Sequence, residues 1–288
     1  MIIRTNFGLG DNIYLRPVLK WMPPTEIYLE TPWPQVFLDL PKVKFLRPNN
    51  LILRTQKENV KRGFEWQQIG SYLPDFTVKY DLKKGNIIQN YIDALLGFNP
   101  SWLDNSIFIK QEWISKARLF VNTDRRICII RPNTIRKEWQ CPARNPHTKY
   151  LQRFINYYKD QFYIISIANL SKDHEEYDGV LEGVDLELTK GIDIEMFMGL
   201  FAIADMIVTS PSFWSALGIA MDKNMVIVYG AHYSHWNLND PRCKTTKVTF
   251  VQPYPFDCCV RDKPNAFKDI PLSILDKAYR EGVMRCYT

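Results

Sequence analysis

The chain opens on a short apolar run, Met1-Ile2-Ile3-Arg4, which passes through Thr5-Asn6-Phe7 into Gly8-Leu9-Gly10-Asp11 and then into an apolar, helix-patterned stretch from Asn12 to Met22. A strand that reaches a helix through a glycine turn is the first half of a βαβ unit, and it commits the chain to an α/β architecture. The same turn lets backbone approach a ligand closely, and the helix start beyond it favours negative charge. A site is therefore expected here, with Gly10 in it. Asp11 stands where the helix begins and has two readings. One is an N-cap, whose carboxylate accepts a first-turn N–H. The other is a general base that takes the proton of an attacking hydroxyl in a cleft between two domains.

A cleft is expected because 288 residues suit two domains better than one. Short apolar runs alternate with helical patterns in both halves. In the first half, Glu26 to Glu30 and Val43 to Leu46 read as strands, Val36 to Leu40 as a helical turn, and Ile87 to Leu96 as a helix. Asn122-Thr-Asp-Arg-Arg126 then punctuates the chain before the run Ile127 to Ile130, so the expected domains are 1–123 and 124–288. The second half continues with a helix from Thr148 to Lys159, a strand from Phe162 to Ile167, a strand or turn near Leu186 and a helix from Ile194 to Ala204. A strand from Met206 to Val208, a helix from Ser212 to Met221 and a strand from Met225 to Tyr229 complete it. Runs of four or five apolar residues bounded by turns suit parallel strands buried on both faces.

Several function classes lose support. The N-terminus lacks the pattern of a signal peptide, and no apolar run reaches the roughly 18 residues that cross a bilayer, so the expectation is a cytoplasmic protein, peripheral at the inner membrane surface at most. Cys128, Cys141, Cys243, Cys258, Cys259 and Cys286 show no repeated C-x-x-C spacing and are read as thiols. His232 and His235 are three apart in a turn-rich loop with no acidic cluster, so no metal site is expected. The formal charge of +6 favours anionic partners without naming one. Dinucleotide, P-loop, zincin and hydrolase motifs are absent from the sequence.

Two further loops follow strands and are candidate sites, since the carboxyl ends of parallel strands build the crevice of open α/β sheets. The first, Arg131-Pro-Asn133-Thr-Ile-Arg136-Lys137-Glu-Trp139, carries amides and cations suited to phosphate oxygens, with Asn133, Arg136 and Lys137 as candidates. The second, Thr209-Ser210-Pro-Ser212-Phe-Trp214, precedes a helix. Ser210 or Ser212 can cap that helix, and the same hydroxyls with free N–H groups can hold an anion.

Taken in order, these segments resemble the heptosyltransferase-like glycosyltransferases of family nine, which have the GT-B architecture of two Rossmann-like domains facing across a cleft. The shared features are Gly8-Leu-Gly-Asp11 with Pro17 in the helix beyond, Arg136-Lys-Glu-Trp139 before a helix, Ala204-Asp205 before a strand and small-residue turn, and a strand closing in Tyr229-Gly230. Cys258-Cys259 and a terminal helix after Asp269-Ile270 extend the likeness towards the C-terminus. The family's D-[ST]-G and histidine at the phosphate turn are replaced here by Pro211, Ser212, Phe213 and Ala216, which leaves the donor open.

The resemblance implies a glycosyltransferase with Asp11 as general base. An N-terminal domain would take the acceptor and a C-terminal one a nucleotide-sugar, with Thr189 or Glu187 near the nucleoside and neither metal nor cofactor. It also implies an anionic acceptor such as a lipopolysaccharide core. Alternatives are transfer to a modified base in DNA, with Trp21, Trp33, Trp66 and Trp102 stacking on bases, a non-catalytic nucleotide-sugar or glycan-binding module, and a sugar-phosphate epimerase.

Overall fold

The computed structural model describes residues 1–70, 73–82, 84–232, 238–243, 247–253 and 268–288. Cys258, Cys259 and His235 lie outside them. The chain forms two compact units, one of Met1–Phe108 with Trp236–Lys244, the other of Ile109–His235 with Thr245–Thr288.

Unit 1 is built on strands β1 (Ile2–Arg4), β2 (Ile27–Glu30), β3 (Val43–Leu46) and β4 (Asp75–Thr77), all parallel, in the order β3-β2-β1-β4. Helix α1 (Leu9–Trp21) returns the chain from β1 to β2. Helix α2 (Arg54–Asn59) lies between β3 and β4, and α3 (Ile87–Leu95) follows β4. The chain steps outward from β1 through β2 to β3, then crosses back to set β4 on the other side of β1. The strand order reverses there, and such a switch point is where open α/β sheets bind ligands.

Residues 238–243 belong to this unit although they arrive late in the chain. Leu103 forms a bridge with Cys243, and its N–H donates to the carbonyl of Arg242 at 3.1 Å. The Arg242 guanidinium donates to Asp240 (2.6 Å) and to Gln89 of α3 (2.7 Å).

Unit 2 begins at α4 (Gln111–Phe120), ahead of the expected boundary at residue 124. The physical reason is packing: α4 lies against α6 (Ile194–Ile203), where Gly199 lets the helix approach the backbone carbonyl of Trp113. Its six-stranded parallel sheet has the order β12-β11-β10-β5-β7-β9, formed by β5 (Arg126–Ile130), β7 (Phe162–Ile167), β9 (Leu186–Leu188), β10 (Met206–Thr209), β11 (Met225–Val228) and β12 (Val248–Val251). Every residue of β10 and β11 is buried, as continuous apolar runs require.

Helix α5 (Thr148–Tyr158) sets Tyr150, Leu151, Phe154 and Ile155 into the core beside Tyr279 of α8 (Leu272–Met284). Each such side chain stabilises the fold by roughly 1.5–3 kcal/mol relative to exposure. The switch point of this sheet lies between β5 and β10. A two-stranded antiparallel ribbon, β6 (Thr134–Arg136) with β8 (Glu175–Tyr177), follows β5, and α7 (Phe213–Ala220) follows β10. Among the described residues no helix is long and apolar enough to cross a membrane.

Candidate functional sites at the two switch points

The turn after β1 is built from its carbonyls outward. Asn12 donates its amide to the carbonyls of Asn6 (3.2 Å) and Gly8 (2.8 Å), and its own oxygen accepts from the Thr31 hydroxyl at 2.7 Å. The Phe7 carbonyl accepts from the Trp33 indole (2.7 Å) and from the Gln56 amide (2.8 Å). Side chains from three other segments thus hold the turn's acceptors in place. The first N–H groups of α1, at Leu9, Gly10 and Asp11, have no carbonyl partner within the helix and no cap side chain from Gly8, the arrangement that suits an anion. Trp33 is buried and spends its indole on this turn, so it does not serve as a stacking surface.

Asp11 is not the N-cap. The helix begins three residues before Asn12, Gly8 is the cap residue, and Asp11 occupies the third helical position. Its carboxylate reaches back to accept the N–H of Gly8, which is the return half of a capping box. A Cβ at residue 8 would overlap Asp11 Oδ2, so the carboxylate can sit against this position only because residue 8 is glycine, its φ of −64° being ordinary.

Burial pushes the Asp11 carboxyl up to about 6, against the opposing hydrogen bonds from the Tyr80 hydroxyl and the Gly8 N–H. Tyr80 comes from just beyond β4, whose chain is tied to β1 where Val78 N–H donates to the Arg4 carbonyl at 2.8 Å. Tyr91 of α3 is fully buried, its hydroxyl accepting from Thr5 at 2.9 Å. Burial first, and the nearby Asp11 charge second, hold that phenol well above the usual range.

At the second switch point the first residue past β5 is Arg131, whose N–H pairs with the Val208 carbonyl of β10 at 3.0 Å. Its buried guanidinium donates to Ser210 Oγ (2.6 Å) and Thr134 Oγ1 (3.2 Å), and Thr134 donates on to Glu175 at 2.6 Å. Burial, followed by the charge of Arg144 and with Arg136 adding to it, brings Arg131 down to about 9, while Glu175 opposes the shift. Arg136 faces Glu175 at 3.3 Å, and Arg144 lies over the Trp139 ring at 4.9 Å. Arg144 and Arg136 are thus near enough for their charges to act on Arg131, with Glu175 as the opposing carboxylate.

Ser212 caps α7, its hydroxyl accepting the Trp214 N–H at 3.2 Å. The Ser210 carbonyl accepts from the hydroxyls of Thr209, Ser212 and Ser215. The turn is stitched by its own hydroxyls.

The remaining candidates fall at different distances from this centre. Asn133 is buried and donates to the Pro146 carbonyl (2.7 Å) and Thr148 (3.0 Å), while its own Oδ1 has no partner. Lys137, just past β6, donates to the Lys172 carbonyl at 2.9 Å and lies 3.9 Å from Glu176. Thr189 follows β9, the strand beyond β7, with its carbonyl accepting from the Leu170 N–H at 2.9 Å, and Glu187 accepts the Tyr177 hydroxyl. Sequence reading singled out neither Arg131, Arg144 and Glu175 nor Asn12, Tyr80 and Tyr91. Arg131 was open to detection, since it is the cation immediately after a buried strand.

No family model matches this sequence, and no curated protein sequence does. Solved structures match at the level of fold. The ADP-heptose LPS heptosyltransferase II of E. coli superposes with a TM-score of 0.64 at 11% identity, over 99% of this chain and 98% of its own. A family 9 glycosyl transferase from Veillonella parvula gives 0.64 at 14%, over 99% and 97%. The E. coli heptosyltransferase WaaC, solved with ADP-2-deoxy-2-fluoro heptose, gives 0.54 at 11%, over 97% and 99%. The chain has the two-unit α/β fold of these GT-B glycosyltransferases.

Proposed function

We propose that this chain is a glycosyltransferase that moves a sugar from a nucleotide-sugar to a hydroxyl of an anionic glycan, without a metal. The observation that carries the reading is Asp11, a carboxylate brought by burial to about 6 at the switch point of its sheet, where it can ionise at neutral pH and still accept a proton. In this reading unit 1 holds the acceptor. As the acceptor oxygen attacks the anomeric carbon and the bond to the diphosphate breaks, Asp11 takes the hydroxyl proton.

The charge that develops on the departing diphosphate falls to unit 2. Arg131, Arg136 and Arg144, with the N–H groups at the start of α7, supply fixed positive potential there. Those side chains do the work that a divalent cation performs elsewhere. The solved structures of similar fold include one bound to an ADP-sugar analogue, which makes ADP-sugars the first donors to try. The basic balance of the chain favours an acceptor carrying phosphate or carboxylate.

The test is release of nucleoside diphosphate from a panel of nucleotide-sugars in EDTA, with and without phosphorylated oligosaccharide acceptors. Acceptor-dependent release that falls by about 10²- to 10⁴-fold in Asp11→Asn supports the proposal. Binding of nucleotide-sugar without turnover on any acceptor would instead favour a binding module, and release restored only by added metal would remove the metal-independent step.

A further inference from the structure

We propose that Tyr80 is the positioning residue of the Asp11 base, holding the carboxylate through its hydroxyl while its ring is held edge-on by Tyr91. This rests on Asp11 being the base. Three residues are linked in series to the Asp11 carboxylate. Asp11 lies on α1, Tyr80 beyond β4, Tyr91 on α3, and Thr5 is the first residue past β1.

The Tyr80 hydroxyl donates to Asp11. The Tyr80 ring meets the Tyr91 ring at 86° with centroids 6.4 Å apart, and Thr5 fixes Tyr91 by its 2.9 Å hydrogen bond. The series therefore begins and ends on the two sides of the β1–α1 turn, so the placement of Tyr80 is set by the strand and helix that flank the switch point.

The chemistry separates this arrangement from a merely satisfied buried acid. The groups acting on Asp11 are the Tyr80 hydroxyl and the Gly8 N–H, with the Tyr91 phenol near them. Both hydrogen bonds come from neutral donors. A guanidinium in their place would fix the charge and lower the basicity; two neutral donors orient the carboxylate and leave it able to take a proton. The Gly8 N–H alone belongs to the helix cap and would be present in any such helix. Tyr80 is the donor that a cap does not require.

The experiment is a ¹³C NMR titration of the Asp11 carboxyl in the full chain, beside the pH profile of kcat/KM, for the parent protein, Tyr80→Phe and Tyr80→Leu. Tyr80→Phe keeps the ring against Tyr91 and removes only the hydroxyl. The expected result is a rise of the Asp11 midpoint by about half a unit to one unit, with the acid limb of the profile moving equally. Tyr80→Leu, which also frees the ring, should give a rise at least as large and a further loss of kcat on the alkaline plateau. A midpoint that stays within about 0.2 unit in both variants overturns the role of Tyr80. A midpoint that moves while the acid limb stays put upholds the contact and overturns Asp11 as the base, so the two failures are told apart.

Discussion

At pH 7 the carboxylate of Asp11 is ionised in a setting where burial favours the protonated form. Because its folded value of about 6 lies above its ordinary value of 3.8, the folded state binds the extra proton between those limits. Stability from this group is therefore greatest below about pH 4 and declines as pH rises through 6. Asp11→Asn should raise Tm at pH 7, by an amount equivalent to about 1–3 kcal/mol after allowing for the residue's partial exposure, and the gain should vanish near pH 4. Thermal unfolding of both proteins across that range checks the sign; a loss of stability at pH 7 would mean that the carboxylate is held by more than its two donors. Gly8→Ala acts on the same atom by another route. Its new Cβ overlaps Asp11 Oδ2, which is the far end of a flexible side chain, so the carboxylate should swing aside. The expected outcome is a tenfold or greater fall in kcat with a stability change under about 1 kcal/mol, read from steady-state kinetics and urea unfolding.

Elements differed in how far sequence declared them. The strands β5, β7, β10 and β11 were legible because a strand buried on both faces must be an unbroken apolar run, and helices α5 and α6 because their patterns are apolar at helical spacing. Strand β4 was not, since Asp75, Phe76 and Thr77 are all exposed and only pairing with β1 makes them a strand. Helix α4 hid because it buries only Trp113 and Ala117. The site shows the same division. Asp11, Ser210 and Ser212 could be read because they stand at strand ends before helices, where chain direction alone gives the location. Tyr80 and Tyr91 could not, since nothing local marks a tyrosine that a distant strand brings against a carboxylate.

The α4–α6 contact also yields a test. A methyl at Gly199 would meet the Trp113 carbonyl, a backbone atom that cannot rotate away. Gly199→Ala should destabilise unit 2 by about 2–4 kcal/mol despite alanine's better helix propensity, seen as a lowered midpoint in denaturant.

For the whole molecule, the unusual feature is that unit 1 draws on residues from the far end of the chain. Arg242→Ala removes the donors to Gln89 and leaves the buried Asp240 carboxylate with fewer partners. A loss of about 1–3 kcal/mol is expected, and it should appear as faster hydrogen exchange in α3 of unit 1, with the amides of β5 and β7 little changed. Equal acceleration in both units would show that the two unfold as one. A fragment ending at Phe108 should likewise be less stable than unit 1 in the full chain, and a peptide spanning 236–244 should protect it.

This borrowed segment sets an order of events at the ribosome. A protein whose first domain is a continuous stretch can complete that domain while the second is still being translated. Here the bridge that Leu103 makes cannot form until Cys243 has emerged, and at usual elongation rates that interval is on the order of ten seconds. Unit 1 must spend it unfinished, so a nascent chain stalled before residue 236 should be the form most exposed to chaperones.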